Sequence, residues 1–351
     1  MSAENPAEPR ASLATSTLAF DPAGDVAPGA RHSIAILIPC YNEEKTVGEV
    51  VKQFQTQLPA ATIYVFDNNS SDETVARAEA AGAQVFHERR QGKGYVTQAM
   101  FRQVDADVYV IVDGDGTYPA EAIHRLLAPV LNNAADMVVG SRLHAESQSE
   151  FKQLNALGNR LVLRVLNGIF RVRLTDILSG YRVFNHKFVK GLPLFGGGFE
   201  IETELTIKAI ERGFRIIEIP INLTHRPPGS HSKIKFFRDG VIILNTILAL
   251  FRDYKPLTFF GGTGLVLLAV ALVPGIIAIL ELLSTGRARL PATVLTIGLG
   301  LCGLLSITVG LVLHSIARRA QEFEYQLQVL AEELRADMAR NAATGRVTRD
   351  V

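Results

Sequence analysis

Cysteine is scarce in this sequence: among 351 residues only Cys40 and Cys302 occur, one at the end of a candidate strand and one inside an apolar run. Neither stands at metal-ligand spacing or has a partner nearby, which argues against a disulfide framework or a zinc site. An excess of charge of one sign is lacking as well. The formal net charge is +1, so there is no whole-chain basic field of the kind that draws nucleic acid, and none is expected as a partner. The first thirty residues, rich in Ala, Pro, Ser and Gly, have neither the basic start nor the continuous apolar stretch of a secretory signal. Residues 1–30 therefore read as a disordered leader, and the rest of the chain is expected to stay on the side where it is made.

From Ser33 onward, short apolar runs alternate with helical patterns. Ser33 to Pro39, Thr62 to Asp67, Gln84 to His87 and Asp107 to Asp113 are strand candidates, and Val47, Val50, Val51 and Phe54 recur at helical spacing between the first two. Continuous apolar strands joined by helices predict a parallel sheet covered on both faces, an α/β doubly wound (Rossmann-like) domain. Met137 to Gly140 and Arg215 to Ile221 extend it, and residues 31–232 are assigned to this domain. Asn42, Glu43 and Glu44 follow the first strand, Asp67 ends the second, and Asp113 and Asp115 end the fourth. Open α/β sheets bind ligands just beyond the carboxyl ends of their strands, so one cleft is expected to collect all of these.

Charge is also missing from Leu257 to Leu283 and Ala292 to Ile316, apart from Glu281 near one end. Each run exceeds the roughly 20 residues that cross a bilayer as a helix, which predicts two spans with a short link over residues 257–317; two buried helices of a soluble domain are the alternative. Arg252, Lys255, Arg318 and Arg319 flank the outer ends against Arg287 and Arg289 in the link, which favours a catalytic domain and both termini at the cytoplasmic face, in a bacterial cell the inner membrane. Residues 318–351 form a charged tail with Phe323, Leu327, Leu330 and Leu334 on a helical period, suited to a solvated helix or to a homo-oligomeric coiled coil. The segments 151–170 and 233–256 are amphipathic, fitting either the headgroup layer or ordinary packing.

The sharpest local signal is Val110-Ile111-Val112-Asp113-Gly114-Asp115-Gly116, an apolar strand ending in two carboxylates. Two hard oxygen donors there suit Mg²⁺ or Mn²⁺ with positions left for phosphate oxygens, although Asp and Gly also crowd ordinary exposed turns. It follows Ile36-Leu37-Ile38-Pro39-Cys40-Tyr41-Asn42-Glu43-Glu44, Val65-Phe66-Asp67-Asn68-Asn69-Ser70-Ser71-Asp72 and Gln91-Gly92-Lys93-Gly94. It precedes Val139-Gly140-Ser141-Arg142, Asp176-Ile177-Leu178-Ser179-Gly180-Tyr181-Arg182 and Arg226-Pro227-Pro228-Gly229-Ser230-His231-Ser232-Lys233. Together these motifs resemble glycosyltransferase family 2, with its GT-A fold. With the paired C-terminal runs, the resemblance is to the branch of dolichyl-phosphate mannose synthases and bacterial polyisoprenyl-phosphate glycosyltransferases.

The resemblance implies a metal-dependent, inverting transfer of a hexose-type sugar from a UDP- or GDP-linked donor to a polyprenyl phosphate in the membrane. By it, Pro39, Tyr41, Glu43 and Asp67 would hold the nucleoside, and Asp113 with Asp115 the metal and diphosphate. Lys93 would reach donor oxygens or remain a solvated turn lysine; Arg226, Ser232 and Lys233 would close on the diphosphate. Arg142, with Lys152, Asn159 and Arg160, would face the lipid phosphate. Glu200, after the run Gly196-Gly197-Gly198, stands where many relatives keep a general base, or is simply an acid at a helix start. Transfer to a lipid hydroxyl or a glycan would require Glu200 or Glu202 as that base, and a catalytically silent membrane scaffold is a third possibility. The sequence departs from many relatives in three places: Asn68 replaces a second aspartate, Thr117 a glutamine, and an arginine and a serine are missing near Lys152 and Ala156.

Overall fold

The computed structural model describes residues 32–142, 163–164, 166–198, 200–224, 236–287 and 289–347. The leader, most of the amphipathic segment 151–170, and Lys152, Asn159, Arg160, Arg226, Ser232 and Lys233 lie outside the described residues. The chain divides into two compact units, Met1–Ile247 and Leu248–Val351.

The first unit is built on a seven-stranded sheet of β1 (Ile34–Cys40), β2 (Thr62–Asp67), β3 (Gln84–His87), β4 (Val108–Ile111), β5 (Met137–Ser141), β6 (Arg182–Asn185) and β7 (Ile216–Pro220). The spatial order is β3-β2-β1-β4-β6-β5-β7. β1, β2, β3 and β4 run parallel, and the unbroken apolar character of β4 and of most of β1 follows from burial on both faces. Alternation along β1 shows it directly, with Ile36 and Ile38 packed among Val50, Val51 and Phe54 of α1 (Val47–Gln57), and Ala35 and Leu37 in the opposite core. That second core holds Val96, Ala99 and Met100 of α3 (Lys93–Gln103) and Phe188 of α5 (His186–Gly191). Helices α2 (Thr74–Ala80) and α4 (Ile123–Leu131) complete the first face, and α6 (Ile201–Glu211) contributes Ile201 and Leu205 to the second.

The sheet is mixed rather than all-parallel. β6 pairs antiparallel with both β4 and β5 and separates them, and β7 pairs parallel with β5. β6 eluded the sequence because Arg182-Val183-Phe184-Asn185 is only four residues long and opens on a charged side chain, which masks the apolar pattern that marks a strand. Arg182 is nonetheless buried, with 1% of its surface exposed.

Helix α7 (Phe236–Tyr254) leads into α8 (Pro256–Thr285) and α9 (Leu290–Val347). α8 starts with Pro256 in its first turn and stops at Gly286, whose φ of 66° suits a left-handed cap and whose N–H donates to the Leu282 carbonyl at 2.9 Å. Pro256–Thr285 and Leu290–Ala320 are long and apolar enough to cross a membrane, and only 6% and 11% of their most apolar stretches are buried. Core helices of a soluble domain would be covered. The charged tail continues the second run without a break, giving one helix of 58 residues.

Within the second unit, α8 and α9 meet where side chains are small. A Cβ on Gly303 would stand 2.9 Å from the Gly264 carbonyl oxygen and from Leu268 Cγ, and Ser306 Oγ donates to the Phe260 carbonyl at 2.8 Å. Gly303→Ile should therefore force the pair apart at a cost of about 1–3 kcal/mol. Thermal unfolding in detergent should show a lower midpoint for the helical pair than in the wild type; an unchanged midpoint would refute this packing.

Candidate functional site

The parallel register of β1 and β2 sets Cys40 beside Asp67, and Leu37 of β1 pairs with Ile111 of β4. The three carboxyl ends thus bring Tyr41–Glu44, Asp67–Asp72 and Asp113–Asp115 to one edge of the sheet. Tight polar contacts hold the first two loops together. The Asn42 N–H donates to Ser70 Oγ at 2.9 Å, the Ser71 N–H to Asn42 Oδ1 at 2.8 Å, the Glu43 N–H to Thr74 Oγ1 at 2.8 Å, and the Glu44 N–H to Asp72 Oδ2 at 3.2 Å. Asn42 and Asn69 take positive φ, at 51° and 63°, a region asparagine tolerates in such turns. Asp67 is buried, accepts the Ser70 N–H and lies 3.3 Å from His87 Nδ1, while Tyr41 is 39% exposed.

Asn68 has its own task. Its Nδ2 donates to the carbonyls of Glu88 and Arg90 at 2.9 and 2.8 Å, and its Oδ1 accepts the Gly92 N–H at 2.7 Å. An aspartate has no donor for two carbonyls. The amide staples the loop that delivers Lys93.

Lys93 opens α3 with 14% of its side chain exposed, and its Nζ lies 2.6 Å from Asp113 Oδ1 and 2.5 Å from Glu202 Oε1. Burial opposes the ammonium charge, but Asp113 and Glu202 outweigh it and hold the Lys93 pKa above its ordinary value. Lys93 is thus an enclosed, paired cation and not a solvated turn lysine. Gly180 makes room for the Asp113 carboxylate, since a Cβ there would collide with it. Asp115 Oδ1 accepts from the Thr117 N–H at 3.0 Å and from Thr117 Oγ1 at 2.6 Å, and Thr224, just past β7, donates through Oγ1 to the Gly116 carbonyl at 2.9 Å.

The glycine run and its acids brace the same loop. The Gly94 N–H donates to the Gly197 carbonyl at 3.2 Å, and Gln98 Nε2 to the Gly196 carbonyl at 3.0 Å. Glu200 Oε1 accepts the N–H groups of Gly197 and Gly198 at 3.1 and 2.9 Å; Glu204 accepts those of Phe195 and Gly196 and pairs with Lys208 at 2.6 Å. The acid that meets Lys93 is Glu202, while Glu200 serves the glycine amides.

Arg142, one residue past β5, forms a fork with Asp176: Nε to Oδ2 at 2.7 Å and Nη2 to Oδ1 at 2.9 Å, with the Arg142 N–H also on Oδ2 at 3.0 Å. Burial works against both charges; the pairing overcomes it, raising the Arg142 pKa and holding the Asp176 carboxyl below the usual carboxylate range. Among the described residues the fork leaves Nη1 without a hydrogen bond. Arg182 lies deeper, donating to the carbonyls of Ser179 and Ile177 at 2.9 and 2.7 Å and to Thr206 Oγ1 at 2.9 Å. Burial lowers its pKa, offset in part by the nearby charges of Glu202 and Asp176.

Of the residues that the sequence singles out, the structure brings Asp67, Lys93, Asp113 and Asp115 to one edge of the sheet and sets Arg142 just past β5; the sequence did not single out Asp176, which pairs with Arg142, or the buried Arg182, although both stand in the DILSGYR motif. Two carboxylates at a strand end fit Mg²⁺ or Mn²⁺, which bind through one or two carboxylates plus substrate phosphates. Among the described residues no group of three or more His, Cys, Asp or Glu gathers as a metal site.

Residues 35–190 match the family described as Glycosyl transferase family 2. The chain is 34% identical to Glycosyltransferase AglJ of Haloferax volcanii over 66% of this chain and 76% of that one. It is 28% identical to the Undecaprenyl-phosphate mannosyltransferase of Micrococcus luteus, over 56% of this chain and 85% of the relative. In fold it is similar to glucosyl-3-phosphoglycerate synthase from Mycobacterium tuberculosis, solved with Mn²⁺, UDP-glucose and phosphoglyceric acid, with a TM-score of 0.53 at 21% identity, covering 63% of this chain and 80% of that one.

Asp176→Asn should leave Arg142 without its charged partner and cost about 3 kcal/mol near neutral pH. Because the folded pKa of Asp176 is depressed, its contribution is complete above the unfolded value of about 3.9 and fades as pH falls through the folded value. Urea denaturation should show the gap between wild type and variant narrowing below about pH 4. A gap that stays constant with pH would contradict the pairing.

Proposed function

The chain belongs to glycosyltransferase family 2, and from that premise we propose that it moves a hexose-type sugar from a nucleotide-sugar to the phosphate of a polyprenyl lipid, with inversion, at the cytoplasmic face of a membrane. The observation that carries the proposal is the carboxylate pair Asp113 and Asp115 closing β4 beside the ends of β1 and β2, in a chain that continues into two exposed apolar helices. A relative that acts on undecaprenyl phosphate supports the lipid acceptor.

In this reading the buried Asp67 accepts an N–H from the base, Tyr41 offers a face to it, and Pro39 and Glu43 shape the nucleoside pocket. Asp113 and Asp115 would hold Mg²⁺ or Mn²⁺, which would supply charge neutralisation at the departing diphosphate. Lys93 adds a positive charge on the same side. The acceptor's phosphate oxygen attacks the anomeric carbon from the opposite face while the bond to the diphosphate breaks. Arg142, steered by Asp176, turns its remaining N–H groups to the lipid phosphate, with Lys152, Asn159 and Arg160 as further candidates; Arg226, Ser232 and Lys233 are assigned to the donor diphosphate.

The engagement of the acids supports a phosphate acceptor over a hydroxyl. A hydroxyl needs a base, yet Glu200 serves the glycine amides and Glu202 serves Lys93. A phosphate monoester, with a second pKa of about 6, is already ionised at neutral pH and needs none.

Asp115→Asn should remove transfer to every acceptor by roughly 100-fold or more, since an amide cannot replace a charged hard ligand. Arg142→Lys keeps a charge but loses the fork, so it should lower use of polyprenyl phosphate by about 1.5–3 kcal/mol while donor binding is retained. Transfer assays with metal and with excess chelator, and with polyprenyl phosphate and free polyprenol, measure both. Full activity in chelator, or equal loss with both acceptors, would refute the assignments.

For orientation, a thiol introduced at Ser284 should react with an impermeant reagent added from outside, and one at Ser70 should not. The reverse pattern would overturn the cytoplasmic placement.

A further inference from the structure

Lys93 occupies one oxygen of a carboxylate assigned to the metal. Its ammonium stands 2.6 Å from Asp113 Oδ1, and a second carboxylate, Glu202 Oε1, holds it from the other side at 2.5 Å. A divalent ion on the Asp113 carboxylate would face this ammonium across a single carboxylate in an enclosed site, and the repulsion between them weakens binding of the ion. Moving the lysine off Asp113 relieves that repulsion. Its flexible four-carbon stem permits that, and the Glu202 contact is a second station within reach. An ammonium has three N–H donors; among the described residues Asp113 and Glu202 accept two of them, which leaves one for a phosphate oxygen.

The surroundings restrict the lysine to these choices. Its backbone is held by the loop that Asn68 staples, with the Gly92 N–H on Asn68 Oδ1 at 2.7 Å, and by the Gly94 bond to the Gly197 carbonyl. Glu202 rides on α6, whose Thr206 receives the fully buried Arg182. Both ends of the contact are therefore fixed to the sheet, and the side chain of Lys93 is the element that can move.

We propose that Lys93 is a resident counter-cation that holds Asp113 closed to metal alone and yields it to metal together with a nucleoside diphosphate, Glu202 retaining the displaced ammonium beside the incoming phosphates. The proposal rests on the reading of Asp113 as a metal ligand. Its consequence is coupling: the diphosphate gives Lys93 a new partner, so metal and nucleotide bind more tightly together than either does alone. Metal without donor binds weakly, and the site is not filled unproductively.

The test is Mn²⁺ binding to the full chain in detergent, followed by the electron paramagnetic resonance signal of aqueous Mn²⁺, with and without UDP or GDP. Lys93→Met should bind Mn²⁺ alone roughly 10-fold or more tightly than wild type, the scale of one charge-assisted hydrogen bond. The nucleoside diphosphate should then improve Mn²⁺ affinity far less in Lys93→Met than in wild type. Glu202→Gln, which removes the second station and leaves Lys93 on Asp113, should bind Mn²⁺ alone more weakly than wild type, and it serves as the second arm where Lys93→Met folds poorly. Mn²⁺ affinity that is unchanged, lower or undetectable in Lys93→Met, equal nucleotide enhancement in both proteins, or Glu202→Gln matching wild type would each overturn the proposal. Failure of the underlying metal reading looks different: Asp115→Asn would keep Mn²⁺ binding, and wild-type transfer would persist in chelator.

Discussion

The contact of one lysine with two acids is the constraint on which the rest of this structure depends. Parallel strands deliver their carboxyl ends to one edge, and there the chain places Asp67, Asp113 and Asp115, with Glu202 arriving from α6. Such a gathering of acids repels itself unless cations are built in. Lys93 supplies one between Asp113 and Glu202, Arg142 supplies another at Asp176, and Arg182 lies beneath with carbonyl and hydroxyl partners. A buried ion pair is costly to assemble and more costly to break, so these contacts specify one arrangement of the loops more than they add net stability.

That requirement explains features that otherwise look unrelated. Asn68 differs from an aspartate in having a donor, and the donor is used twice to hold the loop before Lys93. Gly180 is small because the Asp113 carboxylate occupies the space a Cβ would take. Glu200 and Glu204 turn inward to cap the amides of the glycine run, which in turn accepts from Gly94 and Gln98 of α3. The run is a brace for the lysine loop rather than a slack hinge.

Much of this was legible in the residues alone, for physical reasons that can be named. β1, β2 and β4 announce themselves as apolar runs followed by polar or acidic residues, and burial within a parallel sheet explains their apolar character. The carboxylates at strand ends follow from the same topology. β6 was not legible, because four residues opening on Arg182 carry no periodic signal and because antiparallel insertion between β4 and β5 is a long-range choice. The pairings were hidden for a similar reason: Lys93 with Glu202, and Arg142 with Asp176, join segments far apart in sequence, and neither pairing leaves a local pattern. Glu202 and Glu200 are equivalent as letters, and only the turn of α6 decides which of them meets the lysine.

The central claim is that the acceptor is a lipid phosphate, and the structure of the product tests it most directly. The purified full chain, supplied with Mn²⁺, a panel of nucleotide sugars and polyprenyl phosphate, should yield a lipid carrying one hexosyl residue through a phosphodiester, identified by mass and by a ³¹P resonance distinct from that of the monoester. A donor that is consumed while polyprenyl phosphate stays unmodified, with sugar appearing on a free hydroxyl instead, would contradict the account.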